Sequence, residues 1–281
     1  MNFRYLIFVA ILSLSAGVYS QTKKLVIVHT NDTHSRIEPL PASDKYPNWG
    51  GVVNRKAVID SIRAVEKNVL LIDAGDFVQG TPYFNVFKGK VETETMNLMK
   101  YDIGTLGNHE FDYGLDTLKR IIESLNHPIV CCNYDFSNTP LKGLVKPYKI
   151  IKKDGLKIGV LGVGVDPKGL IQQTNYSGML FKPVISSANM YAKILRQKEK
   201  CDLVICISHI GFTSSEGAPN DIMLAEQSKD IDLIIGGHSH TYMEQPEIRK
   251  NMDGKDVMIF QLGRNGAYIG KIDIELEMIK H

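Results

Sequence analysis

Carboxylate, amide and imidazole side chains follow five separate apolar segments of this sequence. The run "LVIVHT" leads into "NDTHS", "VLLID" into "AGD", "IGTLG" into "NH", "LVICIS" into "H", and "LIIGG" into "HSH". Each residue alone has an ordinary interpretation, because Asp and Asn stabilise turns and a single His often packs in a core. Their joint occurrence after five strand-like segments favours one shared site. The residues are Asp32, His34, Asp76, Asn108, His209, His238 and His240.

The set of donor atoms narrows the chemistry of this site. Oxygen and imidazole donors without thiolate suit Zn²⁺, Mn²⁺, Fe or Co, rather than a cysteine-bound zinc or an all-oxygen Ca²⁺ site. Seven side chains exceed the needs of one tetrahedral ion but suit two ions that share a bridging carboxylate. Two ions about 3.5–4 Å apart hold a phosphoryl oxygen and make water more acidic, as phosphate-ester hydrolysis requires. The sequence therefore predicts two divalent metal ions and a metal-dependent phosphoesterase.

The elements that position these residues alternate between strands and helices. Side chains that follow parallel strands meet at one edge of an α/β sheet, where ligands bind. Strands with little polar alternation are expected to be covered on both faces, so the pattern predicts a layered α/β fold. We predict strands at 24–30, 68–73, 102–107, 128–133, 156–164, 202–208, 230–237, 257–263 and 268–279, and helices at 51–66, 90–100, 114–126, 186–200 and 219–228.

Composition and charge exclude several classes of function. With 43% hydrophobic and 23% charged residues, the chain is neither disordered nor fibrous. A formal net charge of +2 from 33 basic and 31 acidic residues predicts no nucleic acid polymer as a partner. The four cysteines contain no CxxC pair, which argues against a zinc ribbon. We expect them to be buried free thiols.

The first twenty residues have the layout of a secretory signal peptide. In "MNFRYLIFVAILSLSAGVYSQ" an early arginine precedes an apolar run and then small residues, so cleavage is expected before Gln21. The apolar run is short for a bilayer span, and no stable membrane span is expected after cleavage. An uncleaved N-terminal anchor is the alternative. We predict a signal peptide at 1–20, one domain at 21–281, and a secreted or periplasmic protein.

The motifs "DTH", "GD", "GNHEFD", "SH" and "GHSH", in this order, resemble those of the calcineurin-like metallophosphoesterase superfamily. Longer segments, among them "VIVHTNDTHSRIEPL", "DAGDFVQGTPYF", "YDIGTLGNHEFDYG" and "GRNGAYIGKIDIEL", resemble its branch of secreted 5′-nucleotidases and UDP-sugar hydrolases. The resemblance covers residues 24–276. It implies a four-layer sandwich in which helices flank two mixed β-sheets.

The resemblance also implies a division of the metal ligands. One set would hold the first ion, although glutamine replaces its last histidine in part of the family. A second set would hold the other ion, and one aspartate would bridge both. The first set is Asp32, His34 and His240; the second is Asn108, His209 and His238; the bridge is Asp76.

Two further residues would act on the substrate by the same resemblance. His109 would lie over the departing oxygen, and both His109 and Asn108 would contact the substrate. Asp112 would orient the His109 imidazole and favour its charged form. Hydrolysis would proceed by in-line attack of a metal-held hydroxide on phosphorus, without a covalent enzyme intermediate.

Several alternatives remain open on substrate and partner. Relatives of full length carry a C-terminal domain that stacks the nucleobase between aromatic rings, so a separately encoded substrate-binding domain is a possible partner. A 5′-nucleotide, a 2′,3′-cyclic nucleotide and a nucleotide sugar all suit the centre. Hydrolysis of a sulfur-linked or lipid ester would need a leaving-group pocket of another kind. A non-catalytic metal-binding subunit is less consistent with intact His109 and Asp112.

Aromatic side chains near the motifs have two interpretations. They either contact the leaving group of the substrate or pack in the core and its rim. The residues are Trp49, Tyr83, Phe84 and Tyr113.

Overall fold

The computed structural model describes residues 6–12, 20–214 and 217–279, and within them the chain forms two mixed β-sheets and a small two-stranded sheet. Most strands lie where β-branched residues recur in the sequence. The strands are β1 (Leu6–Leu12), β2 (Ser20–Thr30), β3 (Val69–Asp73), β4 (Ile103–Gly104), β5 (Tyr134–Asp135), β6 (Tyr148–Lys153), β7 (Leu156–Gly164), β8 (Leu180–Phe181), β9 (Leu203–His209), β10 (Leu233–Ile235), β11 (Glu247–Lys250), β12 (Asp256–Phe260) and β13 (Gly270–Ile279).

Helices connect these strands and cover the outer faces of the sheets. The last of the long helices continues as one π-helical turn at Ile194–Lys198, and short 3₁₀ turns lie at His109–Phe111 and Gln173–Tyr176. The α-helices are α1 (Val52–Val65), α2 (Pro82–Phe87), α3 (Lys90–Met99), α4 (Gly114–Ser124), α5 (Val184–Lys193) and α6 (Asp221–Glu226).

Both sheets are buried on both faces, which gives a helix–sheet–sheet–helix sandwich. Along β2, Leu25 and Ile27 pack into the core between the two sheets. The alternate residues Val26 and Val28 pack outward against helices α1, α3 and α4. The second sheet has its own outer core, which packs against α5 and α6. This arrangement confirms the predicted four-layer α/β fold.

Parallel pairing brings the carboxyl ends of the central strands to one edge of the sandwich. The first sheet has the order β1-β13-β2-β3-β4, with β2, β3 and β4 parallel. The second has the order β11-β12-β10-β9-β7-β6, with β7, β9, β10 and β12 parallel. The loops that follow β2, β3, β4, β9 and β10 carry every predicted metal ligand except His209, which is the last residue of β9.

The predicted strand at 128–133 is wrong. Its described backbone pairing consists of isolated bridges, from Gly104 to Ile129 and from Val130 to Lys146, and of a hydrogen bond from the Cys132 N–H to the carbonyl of Gly162 in β7. The neighbouring prediction of a strand at 102–107 was too long, because β4 comprises two residues. With so short a neighbour, the 128–133 segment has no continuous ladder to join, although its apolar side chains are buried.

Three of the elements that were not predicted have sequences without a clear apolar period. Strands β6 and β11 have the charged sequences "YKIIKK" and "EIRK", and both lie at the outer edges of the second sheet. Charged residues are typical of edge strands, where they discourage pairing with another chain. Helix α2 is too short to show a helical period, although Pro82 at its first position is a helix-start signal.

The N-terminal twenty residues lie only partly within the described structure. Residues 1–5 and 13–19 of the predicted signal peptide lie outside the described residues, and Leu6–Leu12 pairs in parallel with β13. Signal cleavage therefore remains a prediction. In the described part of the chain, each helix is too short or too polar to span a membrane. The four cysteines are buried and free, as predicted.

Candidate metal centre

All seven predicted ligands meet at the carboxyl edge of the two sheets. The first sheet contributes four of them from the loops after β2, β3 and β4, and the second sheet contributes three from β9 and the loop after β10. Donor atoms of six of them and of His109 form groups whose members lie within 4.8 Å of one another. These groups are Asp32, His34 and His240; Asp76, His209 and His238; and His34, Asp76 and His109.

The first group has the spacing of ligands around one small cation. His34 Nε2 lies 2.9 Å from His240 Nε2. Asp32 Oδ1 lies 3.3 Å from His240 Nε2 and 3.9 Å from His34 Nε2. Ligands bound tetrahedrally at zinc distances stand about 3.3 Å from one another. Three donors at this spacing, two of them imidazole nitrogens, fit a divalent transition-metal ion.

The second group is more deeply buried. His209 Nε2 lies 3.1 Å from Asp76 Oδ2, and neither residue is more than 2% exposed. His238 Nδ1 lies 2.9 Å from Asn108 Oδ1, so the predicted amide ligand stands beside the predicted imidazole ligand. Asp76 also belongs to the group that contains His34, which places its carboxylate between the two halves of the site.

Unpaired buried atoms and tight glycines support a cation at this place. In the described structure, His209 Nε2 and His34 Nδ1 are buried without a hydrogen-bond partner. A Cβ atom at Gly107 would lie 2.2 Å from Asp76 Oδ1 and 2.6 Å from His209 Nε2. A Cβ atom at Gly237 would lie 2.7 Å from His209 Nδ1. The backbone therefore approaches the ligands too closely for any side chain at these two positions.

The charges in the site also need a cation. Burial lowers the pKa of His209, but the nearby carboxylates of Asp76 and Asp32 outweigh burial and raise that pKa. Burial together with the charge of His209 lowers the pKa of His238 to about 4, so His238 is a neutral donor. A bound divalent ion would replace the proton that His209 carries without metal, and would offset the charge of the two buried carboxylates.

Five of the seven predicted ligands have left-handed backbone conformations, which residues other than Gly rarely adopt. Asp, Asn and His tolerate this region better than most residues, and strain of this kind accumulates at functional sites. The tight turns aim short side chains back toward the strand ends. The φ angles are 48° for Asp32, 47° for His34, 53° for Asp76, 75° for His238 and 55° for His240.

Polar residues around the ligands fix their orientation. His209 Nδ1–H donates to the carbonyl of Ala74 at 2.6 Å, which leaves Nε2 as the metal-binding nitrogen. Asn31 Nδ2 donates to Asp32 Oδ2 at 2.7 Å. Gln261 is fully buried, and its Nε2 donates to the carbonyl of Gly237 at 2.8 Å. These contacts hold the ligand loops of both sheets in place.

Glu110 is a supporting residue that the sequence reasoning missed. Its buried carboxylate accepts backbone N–H groups from Asp76 at 3.1 Å, Phe77 at 2.9 Å and Gly107 at 2.6 Å. It thereby joins the loop that carries Asp76 to the loop that carries Asn108. Burial and the negative charge of Asp76 raise the pKa of Glu110 to about 8. The sequence signal for this role is an acidic residue inside "GNHEFD", next to the residues that were predicted to act on the substrate.

His109 and Asp112 form a pair at the open side of the site. His109 Nδ1 lies 2.9 Å from Asp112 Oδ2, and their side chains are 30% and 36% exposed. Burial lowers the pKa of His109, but the hydrogen bond to Asp112 and the charge of Asp76 outweigh burial and raise it. The backbone N–H of His109 donates to Asp76 Oδ1 at 2.9 Å. His109 thus presents, beside the predicted ligands, an imidazole whose charged form is favoured.

The four aromatic residues near the motifs differ in their burial and their contacts. Phe84 is 1% exposed and belongs to the core, and Trp49 stacks on Tyr46 with ring centroids 4.8 Å apart. The Tyr83 hydroxyl donates to Glu38 at 3.0 Å. Tyr113 is 39% exposed and packs against Phe84. Packing interactions therefore account for Trp49 and Phe84.

Comparisons with known proteins show what this chain is similar to. The family of calcineurin-like phosphoesterases matches residues 25–242. The chain is 31% identical to the snake venom 5′-nucleotidase of Crotalus adamanteus, over 95% of this chain and 47% of that protein. It is 30% identical to human 5′-nucleotidase, over 95% of this chain and 48% of that protein. The chain thus spans about half the length of these curated relatives.

Solved structures show the same likeness. The 5′-nucleotidase precursor of Thermus thermophilus superposes with a TM-score of 0.79 and 33% identity, over 89% of this chain and 51% of that one. The NAD nucleotidase of Haemophilus influenzae superposes with a TM-score of 0.81 and 29% identity, over 93% of this chain and 55% of that one.

Proposed function

The chain belongs to the calcineurin-like phosphoesterase family, and from this premise we propose that it hydrolyses phosphate esters of nucleotides at a centre of two divalent metal ions. The observation that carries this proposal is the meeting of two ligand groups at the buried carboxylate of Asp76, with the imidazole of His109 and its partner Asp112 beside them. A structural metal site would need no such imidazole.

The ligand groups suggest how the ions would be held. The chemistry that such ions supply when bound is polarisation of a phosphoryl oxygen and acidification of water. The donor set of carboxylate, amide and imidazole fits Zn, Mn, Fe or Co. We assign Asp32, His34 and His240 to one ion, Asn108, His209 and His238 to the other, and Asp76 to both.

The residues of the chain that act on the substrate would be His109, Asn108 and Asp112. Protonated His109 would donate a hydrogen bond to a phosphoryl oxygen or to the leaving oxygen and stabilise the negative charge that grows there. Asp112 holds the imidazole by its Nδ1–H, so that Nε2–H is the free donor. The Asn108 amide, which is 7% exposed and lies 2.9 Å from His238 Nδ1, directly precedes His109 in the chain and would orient the phosphate.

The nucleotide is proposed from the relatives, whose names include 5′-nucleotidase and NAD nucleotidase. Cyclic nucleotides and nucleotide sugars are alternative substrates for the same centre. We further propose cleavage of a signal peptide at residues 1–20, one catalytic domain at 21–281, and export from the cytoplasm. Because the chain spans about half of its relatives, a further domain in this chain or another would add selection of the base.

The decisive experiment is a substrate panel with a metal count. Purified protein is assayed on AMP, a 2′,3′-cyclic nucleotide, UDP-glucose and p-nitrophenyl phosphate, before and after chelation and after return of Mn²⁺, Zn²⁺ or Co²⁺. We expect activity to disappear with the chelator and to return with two metal ions per chain. Activity that persists without metal, or a single ion per active chain, would contradict the proposal.

A further inference from the structure

A groove of about 690 Å³ opens beside the metal centre. It runs between the loop that follows β7 and the loop that follows β9, and its inner end is formed by His238 and Ser239. Pockets of about 300–1,000 Å³ suit small organic ligands. The groove is therefore large enough for an organic group that is attached to a phosphate at the metal centre.

One loop connects the groove to the catalytic side of the centre. Val165 and Leu170 form its wall on the β7 side, and the same loop continues to Asn175. The side-chain Nδ2 of Asn175 donates to the carbonyl of Asp112 at 2.9 Å. One loop thus borders the groove at one end and supports the partner of His109 at the other.

The lining of the groove combines an apolar floor with polar groups at its rim. Ile210 and Val184 are buried, and the half-buried ring of Phe181 faces the same space. The exposed side chains of Thr213 and Asp166 offer hydroxyl and carboxylate groups at the rim. A flat ring would pack on the floor, and sugar hydroxyls would reach the rim.

We propose that this groove is the subsite for the nucleoside portion of the substrate, within the catalytic domain itself. The inference rests on the proposed function, because the nucleoside must be esterified to a phosphate held near His238 and Asn108. It goes beyond that function in assigning the recognition of the organic group to the loops after β7 and β9. Selection by a further domain would add to this contact and not replace it.

Two substitutions at the rim test the subsite with little risk to folding. Leu170 is 48% exposed, and Leu170→Asp places a charge against the apolar floor. Ala218, also exposed on the lining, becomes bulky in Ala218→Trp and fills the groove. The matched control is Leu98→Asp on α3, at a leucine that is 65% exposed and does not line the groove.

The measurement compares kcat/KM for AMP with kcat/KM for glycerol 2-phosphate, whose organic group is too small to span the groove. Loss of an apolar contact of this size lowers specificity by about 10-fold or more. We expect this loss for AMP in both rim variants, with less than a twofold change for glycerol 2-phosphate and for the Leu98→Asp control on either substrate.

A second readout does not depend on activity. Adenosine is titrated by calorimetry into metal-free wild-type protein and into each variant. We expect the wild type and Leu98→Asp to bind adenosine equally, and both rim variants to bind it about 10-fold more weakly or not at all. Absence of adenosine binding to the wild type, or equal kcat/KM losses on both phosphate esters, would overturn the subsite. A protein that binds adenosine in the groove but hydrolyses no phosphate ester would instead refute the proposed function alone.

Discussion

Gly107→Ala is a test of how the backbone builds the metal centre. The added methyl group would lie 2.2 Å from Asp76 Oδ1 and 2.6 Å from His209 Nε2, well inside contact distance. Neither partner can move away easily. The Asp76 carboxylate accepts the N–H of His109 at 2.9 Å, and the His209 ring is held by the carbonyl of Ala74 at 2.6 Å. The substitution therefore displaces two proposed ligands at once.

The magnitude follows from two opposing effects. Replacement of Gly by Ala restricts the unfolded chain and stabilises the protein by about 0.4–1 kcal/mol where the native backbone accepts Ala. Overpacking in a closely packed region costs about 1–3 kcal/mol. We expect a net loss of about 1–2 kcal/mol in the free energy of unfolding without metal. Displaced ligands should also weaken metal affinity by about 10–100-fold or more.

The assay combines urea unfolding of the metal-free protein with metal titration by calorimetry. Gly104→Ala is the matched control, three positions earlier in the same segment. A Cβ atom at Gly104 would lie 3.2 Å from the terminal methyl group of Ile129, which can shift by a rotamer change. The control should keep wild-type metal affinity. If Gly107→Ala binds both ions as tightly as the wild type, the close approach of backbone and ligands has no bearing on the centre.

Other substitutions separate catalysis, positioning and pH dependence. His109→Ala should keep both ions and lose about 10²–10⁴-fold in kcat, because it removes only the charge stabiliser. Asp112→Asn should reduce kcat less and lower the pKa of the alkaline limb of the pH–rate profile, where activity falls as His109 loses its proton, because the charged form of His109 loses its partner. Glu110→Gln should destabilise the metal-free protein by about 1–3 kcal/mol in urea, because the glutamine NH2 group cannot accept the backbone N–H groups that one carboxyl oxygen of Glu110 accepts. For His29, burial lowers the folded pKa to about 3, so stability is complete above the unfolded pKa of about 6.5 and falls as pH decreases toward 3. Between pH 7.5 and pH 5, the free energy of unfolding of the wild type should therefore fall by about 2 kcal/mol more than that of His29→Leu, as measured by urea unfolding.

Each of these expectations has a contrary outcome. Loss of metal in His109→Ala would make that residue a ligand, as its grouping with His34 and Asp76 allows. An unchanged pH–rate profile in Asp112→Asn would remove its role as the partner of the imidazole. Wild-type stability in Glu110→Gln would show that the three N–H groups find other acceptors. If the difference in the free energy of unfolding between His29→Leu and wild type were constant across this pH range, His29 would have the same pKa in the folded and the unfolded protein.

The layered fold could be predicted because its cause is local in the sequence. The residues of "LVIV" in β2 face two different cores in alternation, and both faces are apolar. Such a strand must be covered on both sides, whatever covers it. The segment at 128–133 is also largely apolar, yet it forms isolated bridges and no continuous strand. Its state depends on the length of the neighbouring strand, which is a property of the assembled sheet.

The metal ligands could be predicted because the types of their side chains indicate metal binding. Their supports could not, because Glu110 and Gln261 act through backbone groups that are distant in sequence. Gln261 reaches the carbonyl of Gly237, 24 positions away, and nothing in "FQLG" distinguishes it from a surface residue. The groove also could not be predicted from the sequence. Val165, Ile210 and Ala218 are ordinary residues there, and only the adjacent loops make them one surface.

The left-handed turns at the metal centre limit how its ligands can be exchanged by engineering. A residue other than Gly, Asn, Asp or His in this conformation costs about 1–2 kcal/mol, and a β-branched one more. Redesign toward a different metal therefore has a wider choice of donor at Asn108, whose φ is −78°, and at His209 in its strand than at the five turn positions. In a library that varies all seven positions equally, most members would carry an unfavourable residue in at least one of the five left-handed turn positions.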